Sequence, residues 1–292
     1  MAVIQPKIQP MLRPNEPAPV STSPVPSSPV SHTPAVGGVG LRPHVTIRGL
    51  SKRFDKAVIY DKFDLDIPRG ELISVFGPNG CGKSTLINMM SGIMPIDAGQ
   101  VLFDGKDLKD TRIGYVFQNY REAMFPWLRA IDNLRYPLKF LDLTRAEKDA
   151  KVEQMIARFD VKIDLHRYPY ELSGGQQQMV SIMRALIVDP EVLFMDEPFS
   201  ALDYEMTLFM REQLQKVFME TRTTTLLVSH DLEEAVHLAD KVLLLTRKPT
   251  RIADIIPFDA PRPRNTETLS SPDFVRVKAH SLEVFQREVR KS

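Results

Sequence analysis

Apolar and polar positions change period several times along this chain, and each change predicts a different element. From His44 the stretches VTIRGLSKRF and KFDLDI alternate residue by residue, as half-buried antiparallel strands do. ELISVFG then reads as a buried strand that runs straight into the glycine-rich GPNGCGKST, Gly77 to Thr85. STLINMMSGI has helical spacing and ends near Gly92, GQVLFDG sets turn residues around a short strand, and RIGYVFQ predicts a strand ending at Gln118. From Asn119 to about Glu171 the pattern turns helical, most clearly in TRAEKDAKVEQMIARF. Beyond LSGGQ (Leu172 to Gln176) come a helix, the strand VLFM, the helix YEMTLFMREQLQKVF, the strand TTLLVS, the helix LEEAVHLA and the strand KVLLLT.

Such alternation of strand and helix predicts right-handed crossovers and a mostly parallel central sheet. The expected fold class is therefore α/β, with an N-terminal antiparallel β subdomain and an inserted α-helical subdomain over residues 119–171. The main domain is expected over residues 44–250. Residues 1–43, rich in Pro, Ser, Val and Thr, predict a disordered leader, with a Pro-rich docking tail as the alternative reading. Residues 251–292 are expected to form a C-terminal extension. There PFDAPRPRN reads as extended, and Phe274, Val277, Ser281, Phe285 and Val289 predict an amphipathic helix packed on the domain.

Composition narrows the partners. The 292 residues carry 43% hydrophobic side chains and a formal net charge of +1, so bulk electrostatics favour neither nucleic acid nor an anionic membrane. The single cysteine, Cys81, excludes an intramolecular disulfide framework and fits a reducing compartment. No charged segment followed by an apolar stretch opens the chain, which argues against a secretory signal. Apolar runs such as Val242 to Leu245 fall far short of the roughly 20 residues that span a bilayer, so any membrane span is expected from other chains.

Two segments carry chemistry. Gly77, Gly82, Lys83 and Ser84 fit G-x-x-x-x-G-K-[ST] between a predicted strand and a predicted helix, the context that a phosphate loop requires. Glycines let backbone N–H groups curl around a phosphate, and the helix N-terminus adds partial positive charge. Lys83 is expected to pair with the β- and γ-phosphates, Ser84 to ligate Mg²⁺ and Thr85 to add an α-phosphate contact. The whole loop, Gly77, Pro78, Asn79, Gly80, Cys81, Gly82, Lys83, Ser84 and Thr85, forms the nucleotide-binding candidate; the Cys81 side chain itself need not touch phosphate. At the end of VLFM, Asp196 is expected to hold Mg²⁺ through a water and Glu197 to polarise the attacking water, since ligands of open α/β sheets bind at the carboxyl edge. Two carboxylates that merely cap the next helix are the alternative. Ser173, Gly174, Gly175 and Gln176 stand where an ordinary helix start would also place a Ser N-cap followed by glycines.

LSGGQ, with the phosphate loop before it and MDEP then SALD after it, resembles the ATP-binding cassette family of P-loop ATPases over residues 45–250. The resemblance implies that Ser173, Gly174, Gly175 and Gln176 bind the γ-phosphate of an ATP held by a second copy of the chain. It implies that Phe54 stacks on adenine, although Phe54 also suits a strand core. Gln118 would touch Mg²⁺ and the attacking water, His230 would contact the γ-phosphate, and Asp203, which would look the same as a helix N-cap, would meet the opposite subunit. Met179, Ser181 and Met183 depart from the family, where Arg and Ala are common at these positions; none is a phosphate ligand.

NYREAMFPWLRAIDNLRYPLKF, HDLEEAVHLADKVLLLTRKPTRI and PFDAPRPRN resemble the ATPase subunits of bacterial nitrate, sulfonate, taurine and bicarbonate importers. That likeness implies a homodimer docked on integral membrane permease subunits at the cytoplasmic face of the bacterial inner membrane, served indirectly by a periplasmic solute-binding protein. Phe125, Pro126, Trp127 and Leu128 would anchor a permease helix, or simply pack the helical subdomain. A soluble ATPase of the same superfamily acting on DNA or ribosomes is the rival reading; the chain has no long coiled-coil insertion, second cassette or basic stripe, so no nucleic-acid partner is expected.

Overall fold

The computed structural model describes residues 43–200 and 202–290. The expected leader lies outside the described residues, Pro43 excepted. Strands β1 (Pro43–Phe54), β2 (Ala57–Pro68) and β3 (Leu72–Phe76) precede helix α1 (Lys83–Met90), and β4 (Ala98–Phe103) and β5 (Ile113–Val116) follow it. Helices α2 (Tyr120–Ala123), α3 (Ala130–Arg135) and α4 (Arg145–Arg158) make up the insertion. The chain then runs through α5 (Gly174–Leu186), β6 (Val192–Asp196), α6 (Tyr204–Thr221), β7 (Thr224–Val228), α7 (Leu232–Leu238), β8 (Lys241–Leu245), β9 (Ile252–Pro257), α8 (Thr266–Leu269) and α9 (Pro272–Arg290).

Two sheets result. The alternating N-terminal segments form a three-stranded sheet in the order β2-β1-β4, antiparallel throughout. The second sheet has the order β5-β6-β7-β3-β8-β9 and is parallel except for β9, which runs antiparallel to β8. Strands β3, β6 and β7 are buried along their whole length, which is why they read as continuous apolar runs rather than alternating ones. One core joins the two sheets and α1 around Ile47, Tyr60, Leu86 and Phe194. Another joins α3, α4 and α5 to the far face of the second sheet around Leu134, Phe159, Val180 and Leu193.

Three elements differ from the sequence reading. The RIGYVFQ strand ends at Val116, and Phe117 and Gln118 lie beyond it in the turn toward α2. Residues Ile252–Pro257 form β9, so the sheet continues across the domain boundary expected at residue 250. In α9 the inward residues are Phe274, Val277, Ser281, Val284 and Glu288, while Phe285 and Val289 are half-buried. Steps of three and four keep that stripe on one face. Phe285 leans instead on Phe76, with ring centroids 5.2 Å apart.

Candidate active site

Register builds the site. In the parallel sheet Val116 lies opposite Met195, Asp196 opposite Val228, and Val228 opposite Val75. The residues that follow each strand, Gln118, Glu197, His230 and the loop from Gly77, therefore emerge side by side at one carboxyl edge.

The loop is folded for an anion. Gly80 and Gly82 hold left-handed φ angles of 72° and 117°, which glycine adopts without steric cost. A Cβ at Gly82 would stand 2.7 Å from Ile59 Cγ2, whereas one at Gly80 would meet nothing within 4 Å. Helix α1 starts with no capping side chain, so its first-turn N–H groups keep their donors for a ligand. Lys83 is buried, and its Nζ donates to Gly77 O at 2.9 Å and to Pro78 O at 3.4 Å. Gly77, Pro78 and Cys81 are buried, while Asn79 and Gly80 are exposed and Thr85 is half-buried. Burial raises the pKa of the Cys81 thiol, which keeps it protonated and makes it a packing residue here.

Behind the loop, Ser84 Oγ donates to Asp196 Oδ1 at 3.0 Å. Burial pushes the Asp196 carboxyl above its ordinary pKa; the Ser84 hydrogen bond and Lys83 oppose that shift, and Glu197 adds to it. A hydroxyl and a desolvated carboxylate side by side are a hard oxygen pair, which suits Mg²⁺. Glu197 is the meeting point of the remaining groups. Gln118 Nε2 donates to Glu197 Oε2 at 2.8 Å, and His230 Nδ1 lies 3.3 Å from the same oxygen. Glu197 N donates to Val228 O at 3.0 Å, which ties the residue to the end of β7.

Phe54, at the end of β1, is 43% exposed, with Lys52 Nζ 5.4 Å from its ring centroid, so it is not a core residue. The LSGGQ segment opens α5. Ser173 caps α5: its hydroxyl accepts from Gln176 N at 3.3 Å, and Gln176 Oε1 accepts from Ser173 N at 3.0 Å. A Cβ on Gly175 would lie 2.8 Å from Met206 Cγ. Gly174, Gly175 and Gln176 are half-buried and Ser173 is exposed. Asp203 caps α6 by accepting from Met206 N at 2.8 Å. Met179, Ser181 and Met183 are all buried in α5.

Sequence reasoning missed several supports. Tyr60 Oη donates to Gly82 O at 2.9 Å and the Thr250 hydroxyl donates to Cys81 O, so β2 and the turn before β9 both pin the phosphate loop. Gln178 Nε2, on the helix that LSGGQ opens, donates to Pro198 O at 2.6 Å, next to Glu197. Buried Asn133 binds both the N–H and the C=O of Phe125 and holds the FPWL segment against α3. None of these has a local signature, because each bonds a backbone group remote in sequence or on another element.

Comparison with known proteins agrees with this geometry. The family described as ABC transporter matches residues 60–200. The aliphatic sulfonates import ATP-binding protein of Bacillus licheniformis is 35% identical over 250 residues, covering 85% of this chain and 95% of its own. The spermidine/putrescine import ATP-binding protein of Marinobacter nauticus is 40% identical over 206 residues, 69% of this chain and 55% of its own. Among solved structures, the dimeric post-hydrolysis state of an ATP-binding cassette with ADP and Pi superposes with a TM-score of 0.65 at 25% identity, covering 74% of this chain and all 100% of that one. A phosphate loop joined to a carboxylate pair at the edge of a parallel sheet defines a P-loop ATPase. The chain belongs to the ABC transporter family.

Proposed function

We propose that this chain is the ATP-hydrolysing subunit of a bacterial importer and works as a homodimer on membrane-embedded permease subunits. One observation carries the reading: Glu197 is held by Gln118 and His230 beside the Ser84 and Asp196 pair. In the working site Lys83 and the first-turn N–H groups of α1 neutralise the phosphates, and Phe54 stacks on adenine. Ser84, Gln118 and Asp196 would hold Mg²⁺, which would supply positive charge beside the phosphate oxygens. Glu197 takes a proton from the attacking water, and Gln118 and His230 keep that carboxylate in place. The products are ADP and phosphate.

Ser173 is exposed at the start of α5, which fits a role for Ser173 to Gln176 in completing a second copy's site, with Asp203 at the contact between copies. ATP that touches both copies favours the closed pair, and hydrolysis removes that preference. The chain would act at the cytoplasmic face of the inner membrane, fed by a periplasmic solute-binding protein. A small anion of the nitrate, sulfonate, taurine or bicarbonate class is the proposed cargo. Its support is the near-full-length likeness to a sulfonate importer subunit.

A mixing experiment tests the shared site. Lys83→Ala and Ser173→Arg should each abolish phosphate release alone, and an equimolar mixture should recover part of the wild-type rate, because the mixed dimer contains one intact site. A mixture as inactive as its parts would overturn the shared-site reading.

A further inference from the structure

At the end of β6 opposite to Asp196 lies a second cluster that the ATP site does not use. His44 near the start of β1, Asp104 just past β4 and Glu191 just before β6 each offer one ligand atom, all within 4.8 Å of one another. Backbone bonds fix the supports: Asp104 N donates to His44 O at 2.7 Å, and Glu191 N donates to Arg112 O at 2.8 Å.

His44 poses the problem. Its side chain is 0% exposed, Nδ1 lies 2.6 Å from Thr224 Oγ1, and buried Nε2 has no hydrogen-bond partner. The nearest carboxylate oxygen, Asp104 Oδ2, is 3.8 Å away, beyond hydrogen-bonding reach. Thr224 Oγ1 also accepts the Gly70 N–H at 2.9 Å and can accept a second bond. In the Nδ1–H tautomer the Nε2 lone pair faces the two carboxylates, the form that a cation would select; in the other tautomer Thr224 O–H donates to Nδ1 and Nε2–H faces them. A hydrogen bond from the other ring nitrogen is also the usual support of a metal-ligating histidine.

We propose that His44 Nε2, Asp104 and Glu191 bind a divalent transition-metal ion of the Zn²⁺ class, with water completing the shell. Imidazole with two carboxylates favours such an ion over Mg²⁺ or Ca²⁺. Ligand atoms on a tetrahedral zinc ion stand about 3.4 Å apart, so the two part-exposed carboxylates would swing inward by about 1 Å or more to close the site. Arg69 pairs with Asp104 and Arg112 Nε lies 3.9 Å from Glu191 Oε1, but both arginine side chains are more than half exposed and free to turn outward. The ion would staple β1 and β4 of the antiparallel sheet to the start of β6, clamping the two sheets whose far ends hold the nucleotide loop.

Zn²⁺ titrated into the full-length, nucleotide-free chain in excess Mg²⁺, followed by calorimetry, tests this. Wild type should bind one equivalent that Asp104→Asn and Glu191→Gln each weaken at least about tenfold, as loss of a ligand or its support does. Asn tolerates the left-handed φ of 50° at Asp104, and both positions are at the surface, so the variants should fold. Asp196→Asn should bind Zn²⁺ like wild type, which separates this site from the nucleotide site. No binding by wild type, undiminished binding by both carboxylate variants, or loss of binding in Asp196→Asn would each sink the proposal.

Discussion

Glu197 holds a left-handed φ of 44°, a conformation that costs a non-glycine residue about 1–3 kcal/mol. The bond from its N–H to β7 and the two side chains on its carboxylate hold it there. Glu197→Gln keeps the shape and removes the proposed base. Phosphate release should fall by about 10²- to 10⁴-fold while ATP still binds, as measured by turnover and by fluorescent-nucleotide titration. Glu234 on α7 offers a second residue-scale prediction. Burial raises its pKa to about 7, with Arg211 opposing the shift and Asp231 adding to it. Since the folded state then holds a proton that the unfolded state releases above about 4.5, stability from this group falls as pH rises from about 4.5 to about 7. The stability of wild type relative to Glu234→Gln should therefore be lower at pH 8 than at pH 5 by about 1–3 kcal/mol, read by denaturant unfolding at both pH values. Residue types such as Lys83, Asp196 and Glu197 were legible because phosphate and water chemistry demand them at fixed spacing. Tyr60, Asn133, Gln178 and Thr250 were not legible, since a polar side chain that satisfies a remote carbonyl looks like any other polar residue until the chain is folded.

Helix α5 shows how closely the elements are fitted. Gly114 lets β5 approach it: a Cβ there would stand 2.5 Å from Ala185 O and 2.9 Å from Leu193 Cδ1. Because the backbone oxygen cannot step aside, Gly114→Ala should cost about 1–3 kcal/mol in denaturant unfolding. The contrast is Gly175, whose neighbour is the flexible Met206 side chain, so an added methyl there should disturb stability less. At the C-terminus, buried Arg264 donates to the carbonyls of Val236, His237 and Ala239 and caps the end of α7, while also bonding Phe258 O and Ala260 O. Periodicity predicted α9 but shifted part of its inner stripe by one residue. A helical wheel gives the angle between residues, and the partner surface decides which side of the stripe is covered.

Over the whole molecule, no helix among the described residues is long and apolar enough to cross a membrane. The helical insertion instead exposes aromatic surface: Trp127 is 70% exposed and Phe140 is 76% exposed, while Phe125 packs between Trp127 and Tyr136. Phe125 thus packs within the subdomain, and we propose exposed Trp127 as the outward anchor for a permease helix. Trp127→Ala should weaken co-purification with the permease and leave nucleotide affinity unchanged; unaltered co-purification would remove Trp127 from the docking surface.

Taken by itself, the sequence determined the class of chemistry and the order of elements. A phosphate loop, an acidic strand end and LSGGQ are local patterns, and each is recognisable within a few residues. Tertiary structure decided which side chains share an oxygen, where the sheet ends, and that His44, Asp104 and Glu191 converge on one point. Those facts depend on strand register across the sheet, which is set by packing between segments far apart in the chain.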